Sequence, residues 1–279
     1  MTMHNIFKIF LSVALIMTVS ACGSTDKAGK AGEEKPIESA ESLYQSAEKQ
    51  LKKGNYREAI VKFQEVERIH PYSKWATKAQ MQAAYAAYEE DSYDEAILAF
   101  DRFVQLHPGN KDVDYAYYIR SLAYYEQISD VARDQDMTLQ ALKSFDALIS
   151  RFPNSQYTRD AKLKRDLTLD HLAGKEMEIG RYYLNRNQMN AAINRFRTVV
   201  KKYQTTTHVP EALHRLVESY MTIGLRGEAQ KIAAILGHNY QGSKWYAETY
   251  KILDDKSRTQ ILEERSIVDK TVDSLFKPN

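Results

Sequence analysis

Apolar residues recur along most of this chain at the three- and four-residue intervals of an amphipathic helix. The clearest pattern is a pair of segments, NYREAIVKFQEVERIHP at 55–71 and SYDEAILAFDRFVQLHP at 92–108, which align without gaps at a period of 37 residues. In each segment an alanine, an isoleucine and a phenylalanine share one face of the predicted helix, and a proline follows. Self-similarity at a fixed period predicts a repeat protein.

Three further copies follow the first two. They read ALKSFDALISRFP at 141–153, AAINRFRTVVKKYQ at 191–204 and GEAQKIAAIL at 227–236. The fixed alanine allows two helices to approach closely, the phenylalanine four residues later fills the gap, and the proline ends the helix. The pattern resembles the tetratricopeptide repeat. It predicts an all-α solenoid of about five helix-turn-helix repeats over residues 40–241, with capping helices over 242–279.

Two repeats depart from the basic length. Repeat three carries about eight extra residues near Gln127–Asp136, and repeat four carries about fourteen, which should extend its first helix back to about Gln156. Insertions in solenoids form loops or extensions. At three repeat junctions a serine is expected to cap the following helix, at Ser73, Ser155 and Ser243.

The N-terminus has a different pattern. Lys8 precedes an apolar run at 9–19 that is too short to cross a bilayer, which needs about 20 residues, and Val-Ser-Ala-Cys then ends at Cys22. This resembles a bacterial lipobox and predicts a signal peptide over 1–21 with a lipidated Cys22. The alternatives are an ordinary signal peptide with an incidental cysteine, or a buried N-terminal helix.

The residues after Cys22 favour an outer-membrane location facing the periplasm. An Asp directly after Cys22 would resemble an inner-membrane retention signal, but this chain has Gly23 there. Residues 22–39 are polar and predict a flexible tether. A covalent lipid on Cys22 would attach a chain of this kind to the membrane.

Composition excludes several classes of function. The chain has 39 basic and 37 acidic residues, a net charge of +2, so nucleic acid is not an expected partner. Its single cysteine excludes an internal disulfide and a cysteine-based metal site. No GxSxG, HExxH or glycine-rich phosphate loop occurs. We therefore expect that the protein is not an enzyme, and that it binds no metal and no cofactor apart from the covalent lipid.

Four segments in the middle of the chain form a distinctive series: Asp130–Gln135 in the insertion of repeat three, then Phe152–Tyr157, Tyr182–Tyr183 and Asn194–Arg195. In kind and order they resemble segments of the BamD family, lipoproteins of the outer-membrane barrel-assembly machinery. The resemblance covers roughly residues 40–237, and it implies a non-enzymatic scaffold. Such a scaffold would bind the periplasmic domains of BamA and other lipoproteins of the machinery, and would receive unfolded outer-membrane proteins. The alternatives are another repeat lipoprotein of pilus or cell-wall assembly, or a peptidoglycan-binding lipoprotein.

The repeat register also suggests where partners would bind. The first helices are expected to line a concave substrate groove with Tyr44, Met81, Tyr85, Tyr88, Tyr115, Tyr118, Leu122 and Tyr125. The alternative is that some of these tyrosines serve helix packing. The resemblance places BamA on the second half, where the candidates are Arg195, Arg197, Lys201 and Lys202. Arg133, Asp134 and Gln135 either contact a partner or hold their loop against the solenoid.

Overall fold

The computed structural model describes residues 38–253, and from Ser39 onward these belong to one compact unit. The predicted signal peptide, Cys22 and most of the tether lie outside the described residues. So does the C-terminal part of the predicted capping region, 254–279. The described part contains eleven helices and no strand.

The helices form five consecutive hairpins and one final helix, which confirms the all-α tetratricopeptide solenoid. The pairs are α1 (Ala40–Lys52) with α2 (Tyr56–Ile69), α3 (Lys74–Glu89) with α4 (Tyr93–Leu106), α5 (Val113–Tyr125) with α6 (Asp136–Arg151), α7 (Thr158–Asn185) with α8 (Met189–Lys202), and α9 (Val209–Thr222) with α10 (Arg226–Asn239); α11 (Lys244–Ile252) follows. None of these described helices is long and apolar enough to span a bilayer.

Four of the five hairpins turn through a residue with positive φ. Gly54 and Gly224 have φ values of 77° and 81°, and Asp91 and Asn187 each have 58°. In repeat one the Gly54 amide donates to the Leu51 carbonyl and the next amide donates to the Gln50 carbonyl, which is a Schellman motif. The other three turns make the same pair of bonds, so the turn is part of the repeat.

The core of each hairpin is built on the fixed positions seen in the sequence. The repeated alanines and phenylalanines are fully buried, with no exposed surface at Ala59, Ala96, Ala141, Ala192, Ala229, Phe63, Phe100, Phe145 and Phe196. Gly180 on α7 provides the closest fit, because a Cβ there would lie 2.8 Å from Cδ1 of Phe196. The residue types of the repeat therefore set how closely the paired helices pack.

The two insertions fold as expected. The extra residues of repeat three form the loop 126–135 between α5 and α6, and α7 is 28 residues long. The buried apolar residues form two clusters, and α7 contributes to both, with Ala161 in the first and Met177 in the second.

Serine capping matches the prediction at two junctions of three. The Ser73 hydroxyl accepts a bond from the Ala76 amide at 3.0 Å, and Ser243 does the same for Tyr246 at 3.2 Å. The prediction for Ser155 is wrong. Tyr157 precedes the first residue of α7 without a side-chain cap, and the Ser155 hydroxyl donates to Asp114 at 2.6 Å.

Candidate functional site

A run of tyrosine rings connects the first helices of repeats two, three and four. The ring centroids of Tyr85 and Tyr115 are 6.4 Å apart, and those of Tyr115 and Tyr157 are 5.4 Å apart. Tyr118 stacks on Tyr157 at 4.9 Å with an interplanar angle of 16°. All four side chains are partly exposed. We call these four residues the tyrosine surface, because they both pack helix to helix and present aromatic area to a ligand.

Two hydroxyl groups of this surface donate hydrogen bonds to carboxylates. The Tyr118 hydroxyl donates to Asp160 at 2.7 Å, and burial together with this bond raises the pKa of Tyr118. A hydrogen bond to Glu89, aided by burial, raises the pKa of Tyr85 to about 12. Burial raises the pKa of Tyr115. The hydroxyls of Tyr85, Tyr115 and Tyr118 therefore remain protonated at neutral pH, and those of Tyr85 and Tyr118 can still accept a hydrogen bond from a ligand.

Tyr44 begins a second aromatic group, at the N-terminal end of the solenoid. Its ring lies 5.4 Å from Phe63 and 4.9 Å from Trp75. A cavity of about 200 Å³ opens beside it. Its lining includes the apolar or aromatic side chains of Tyr44, Met81 and Phe103 and the polar side chains of Lys78, Gln82 and Asn110. A cavity of this size and lining suits one side chain of an extended peptide.

The other predicted groove residues are less open. Met81 and Leu122 are only 7% and 8% exposed and belong to the first core. Tyr88 packs against Tyr93 at 5.8 Å, and burial raises its pKa. The Lys164 ammonium lies 5.0 Å from the ring centroid of Tyr125. These four residues support the first-helix face mainly through packing.

Tyr157 is the member of the surface that the groove prediction missed. A signal was present in the sequence, because Tyr157 follows Pro153 by four residues, as Trp75 follows Pro71. The two tryptophans of the described chain pack in the same way. Trp75 contacts Tyr44, and Trp245 lies 5.1 Å from the ring of His214. In each case an aromatic residue at the start of one first helix covers the preceding first helix.

Several hydrogen bonds fix the conformation of the loop 126–135. The side-chain amide of Gln135 donates to the Arg133 carbonyl at 3.0 Å, and Asp134 accepts from the Asp136 amide at 2.8 Å. Lys175 of α7 donates to the Ala132 carbonyl at 2.8 Å. Gln135 and Asp134 thus hold the loop in shape. Arg133 is exposed and forms no ion pair within residues 38–253, so it is the member of this set that remains open to a partner.

Arg195 is half-buried and already paired. Its guanidinium donates to Glu176 of α7, with a shortest N–O distance of 3.2 Å. A cavity of about 240 Å³ adjoins the pair and is lined by Tyr183, Asn194, Arg195 and Thr198, among others. An acidic group of a partner could reach the guanidinium from this cavity. Arg195 would then bind the partner while it is still paired with Glu176.

The four basic candidates of α8 do not form a single patch. Successive helical residues turn by 100°, so Arg197 and Lys201 share one side of α8 while Arg195 and Lys202 share another. Arg197, Lys201 and Lys202 are exposed and make no ion pair with the described residues. Within 38–253, no three His, Cys, Asp or Glu side chains gather in a way that could hold a metal ion.

Comparison with known proteins agrees with this architecture. The family described as YfiO, outer membrane lipoprotein, matches residues 36–235. An outer membrane protein assembly factor BamD of Caulobacter vibrioides is 46% identical over 245 residues, which is 87% of this chain and 79% of that protein. The BamD of Rickettsia prowazekii is 42% identical and covers 76% of this chain and 84% of its own length. The chain belongs to the BamD family.

As a BamD-family member, the protein is an assembly factor of outer-membrane proteins and is not an enzyme. The family also places it at the outer membrane, as a member of the assembly machinery. This confirms the resemblance inferred from the sequence.

Solved tetratricopeptide structures show a more distant likeness. One from Thermus thermophilus is 17% identical with a TM-score of 0.36, covering 77% of this chain and 100% of its own. The TPR2AB domain of yeast Sti1 is 13% identical with a TM-score of 0.38, covering 85% and 92%.

Proposed function

We propose that this protein is a lipid-anchored scaffold that receives unfolded outer-membrane proteins on its tyrosine surface and binds the periplasmic domains of BamA through its second half. Other lipoproteins of the machinery would be further partners. The observation that carries the substrate assignment is the continuous run of partly exposed rings from Tyr85 to Tyr118. Side chains on one face of an extended strand recur about every 6.6–6.8 Å, close to the 6.4 Å between Tyr85 and Tyr115. A strand with alternating aromatic residues could therefore lie along these rings.

The anchor assignment concerns Cys22 and the periplasmic face of the outer membrane. Replacing the lipidated residue by Cys22→Ser should release the protein from the membrane fraction, because no described helix spans the bilayer. Fractionation followed by pull-down from detergent-solubilised membranes measures both anchor and partners. A Cys22→Ser protein that still sediments with membranes would contradict the lipid anchor. Wild-type protein that captures pilus or cell-wall proteins instead of BamA would contradict the assembly role.

The substrate surface is tested by replacing three of its members, Tyr85, Tyr118 and Tyr157, together with alanine. Each aromatic contact contributes about 0.5–1.5 kcal/mol beyond area burial, so the loss of three should lower affinity for a peptide from the last strand of a barrel protein about 10- to 1,000-fold. Fluorescence anisotropy measures the affinity, and circular dichroism checks that the helices remain. A matched control replaces Tyr72 and Tyr182, which are 102% and 50% exposed but lie outside the surface. Equal affinity in the two variants would contradict the assignment.

The BamA surface is tested at Arg195. The variant Arg195→Glu should weaken capture of the BamA periplasmic domains and reduce its dependence on salt. The same substitution also places two acidic side chains in contact, because Arg195 is paired with Glu176. The exchange Glu176→Arg with Arg195→Glu restores the internal ion pair and so separates folding from binding. If the exchanged protein binds BamA normally, Arg195 serves the fold and not the partner. Lys162→Glu, an exposed position on α7, is the control for charge alone.

A further inference from the structure

The turn of repeat five has an unusual composition for its place in the repeat. In repeats one, two and four the residue before the positive-φ position is Lys53, Glu90 or Arg186, and the residue after it is Asn55, Ser92 or Gln188. Repeat five has Ile223 and Leu225 on either side of Gly224 instead, with exposures of 40% and 48%. Two large apolar side chains thus stand in solvent where equivalent turns carry polar ones. We call Ile223 and Leu225 the apolar tip.

We propose that the apolar tip is the docking site of the chain's own C-terminal segment, residues 254–279. The assignment does not depend on which proteins the solenoid binds. It rests on where the described chain ends, on the register of its last helix, and on the apolar residues that follow.

The last helix runs toward the tip. Ser243 starts α11 beside the end of α10, and His214 of α9 contacts Thr249 of α11 at 2.9 Å through Nδ1 and Oγ1. Since α9 and α11 run in the same direction, Leu253 lies level with about the last turn of α9. The tip follows α9 directly, roughly 7 Å farther along. Leu253, the last described residue, is only 2% exposed. The segment 254–279 therefore continues from a residue that still belongs to the core.

The segment that follows carries suitable side chains. Its 26 residues include seven large apolar ones: Ile261, Leu262, Ile267, Val268, Val272, Leu275 and Phe276. Positions 261, 268, 272 and 275 have the spacing of one helical face. A chain of 26 residues is long enough to reach the tip, roughly 7 Å away, in any backbone conformation. Covering Ile223 and Leu225 would remove an exposed apolar patch for which the repeat gives no other use.

Photocrosslinking tests the contact directly. A benzophenone amino acid replaces Leu225 in the full mature chain, and Leu98, which is 72% exposed in repeat two, is the control position. We expect irradiation to join position 225 to a peptide from 254–279 within the monomer band, and the Leu98 probe to give no such product. Crosslinks that appear only between two copies, or only to another protein, would overturn the proposal.

Proteolysis gives a second readout that needs no probe. Trypsin can cut the segment after Lys256, Arg258, Arg265 and Lys270. If the segment docks on the tip, Ile223→Ser with Leu225→Ser should speed these cuts several-fold, because local opening becomes easier. The matched pair Val61→Ser with Leu98→Ser, also exposed apolar positions, should leave the rate unchanged. Equal rates in both pairs would contradict the docking, and circular dichroism shows that each variant is folded.

Discussion

The first three repeats and the last two share one backbone plan but differ in their side chains. In the first half, Phe63, Phe100, Phe103 and Phe145 are among the largest fully buried residues, and partly buried tyrosines pack against them. In the second half Phe196 is joined by aliphatic residues, with Leu213, Leu216 and Val217 of α9 buried. Aliphatic first helices close against their neighbours, whereas tyrosines leave rings and hydroxyls at the surface. The choice of residue on the first helix therefore decides whether a repeat offers an aromatic binding face.

The two halves meet along α7. Ala161 packs in the first core, and Ala173 and Met177 pack in the second. Between them Thr168 is fully buried and donates its hydroxyl to the Lys164 carbonyl at 2.7 Å. A small polar residue fills little apolar volume, so this stretch of α7 contributes less to either core. We therefore expect the halves to respond separately to damage.

The largest expected effect comes from deleting a buried ring in one half. Phe196→Ala should cost about 3–5 kcal/mol. Amide exchange should then speed up in α8 and α9, while α3 to α5 keep most of their protection. Phe100→Ala, at the same repeat position and equally buried, should give the opposite distribution. Hydrogen exchange with mass spectrometry measures both, and faster exchange along the whole chain in either variant would show a single cooperative core.

A smaller loss follows from adding one methyl group to the second half. Gly180→Ala places a Cβ 2.8 Å from Cδ1 of Phe196, and overpacking of this kind costs about 1–3 kcal/mol. Urea unfolding measures the loss. Gly109→Ala is the control, because a Cβ there has no neighbour within 4 Å. Adding Phe196→Leu to Gly180→Ala should recover part of the stability, and failure to recover any would mean that the ring is not the obstacle.

Much of this architecture follows from sequence because it depends on local rules. The period of 37 residues, the alanine at 59 and 96 and the phenylalanine four residues on determine the hairpins, and the structure buries those residues completely. The length of α7 also follows from counting residues between repeats. Each of these is a property of adjacent turns of helix, which a single sequence displays.

The site is less predictable because it depends on contacts across repeats. Tyr157 joins the tyrosine surface through stacking on Tyr118, 39 residues earlier, and Arg195 pairs with Glu176 on a different helix. The serine junctions show the same limit. Ser73 caps α3, but Ser155 turns its hydroxyl to Asp114 in the preceding repeat. Local capping rules do not include a carboxylate that tertiary structure brings within reach.

The turns provide a comparison in which the halves should agree. Gly54 and Gly224 occupy the same left-handed position, with φ of 77° and 81°, and an alanine there is strained by about 1–2 kcal/mol. Gly54→Ala and Gly224→Ala should therefore lower stability by similar amounts. Asn187→Gly should be neutral or slightly stabilising, since Asn187 already has a φ of 58°. Thermal melts test the set, and a loss confined to one half would show that the turns are not equivalent.

The smallest expected effect is a pH dependence that belongs to the second half. His214 is buried between α9 and α11, where it contacts Thr249 and Trp245. Burial, followed by the nearby Arg215, lowers the pKa of His214 from 6.5, although Glu218, Glu248 and Glu211 oppose the shift. The unfolded chain then binds the proton more readily than the folded one. The contribution of neutral His214 to stability is complete above pH 6.5 and is lost as the pH falls through the lowered folded-state pKa.

His214→Gln separates this contribution from other titrations. Glutamine can keep a hydrogen bond to Thr249 but cannot take up a proton near neutral pH. Melting temperature measured at pH 7.5 and 5.5 should therefore fall less in the variant than in the wild type. The difference should stay below the 2–4 °C that about 1 kcal/mol gives in a chain of roughly this size. His238→Gln, an exposed histidine on α10, should behave as the wild type. Identical pH dependence in all three proteins would mean that protonation at His214 does not affect the contact between α9 and α11.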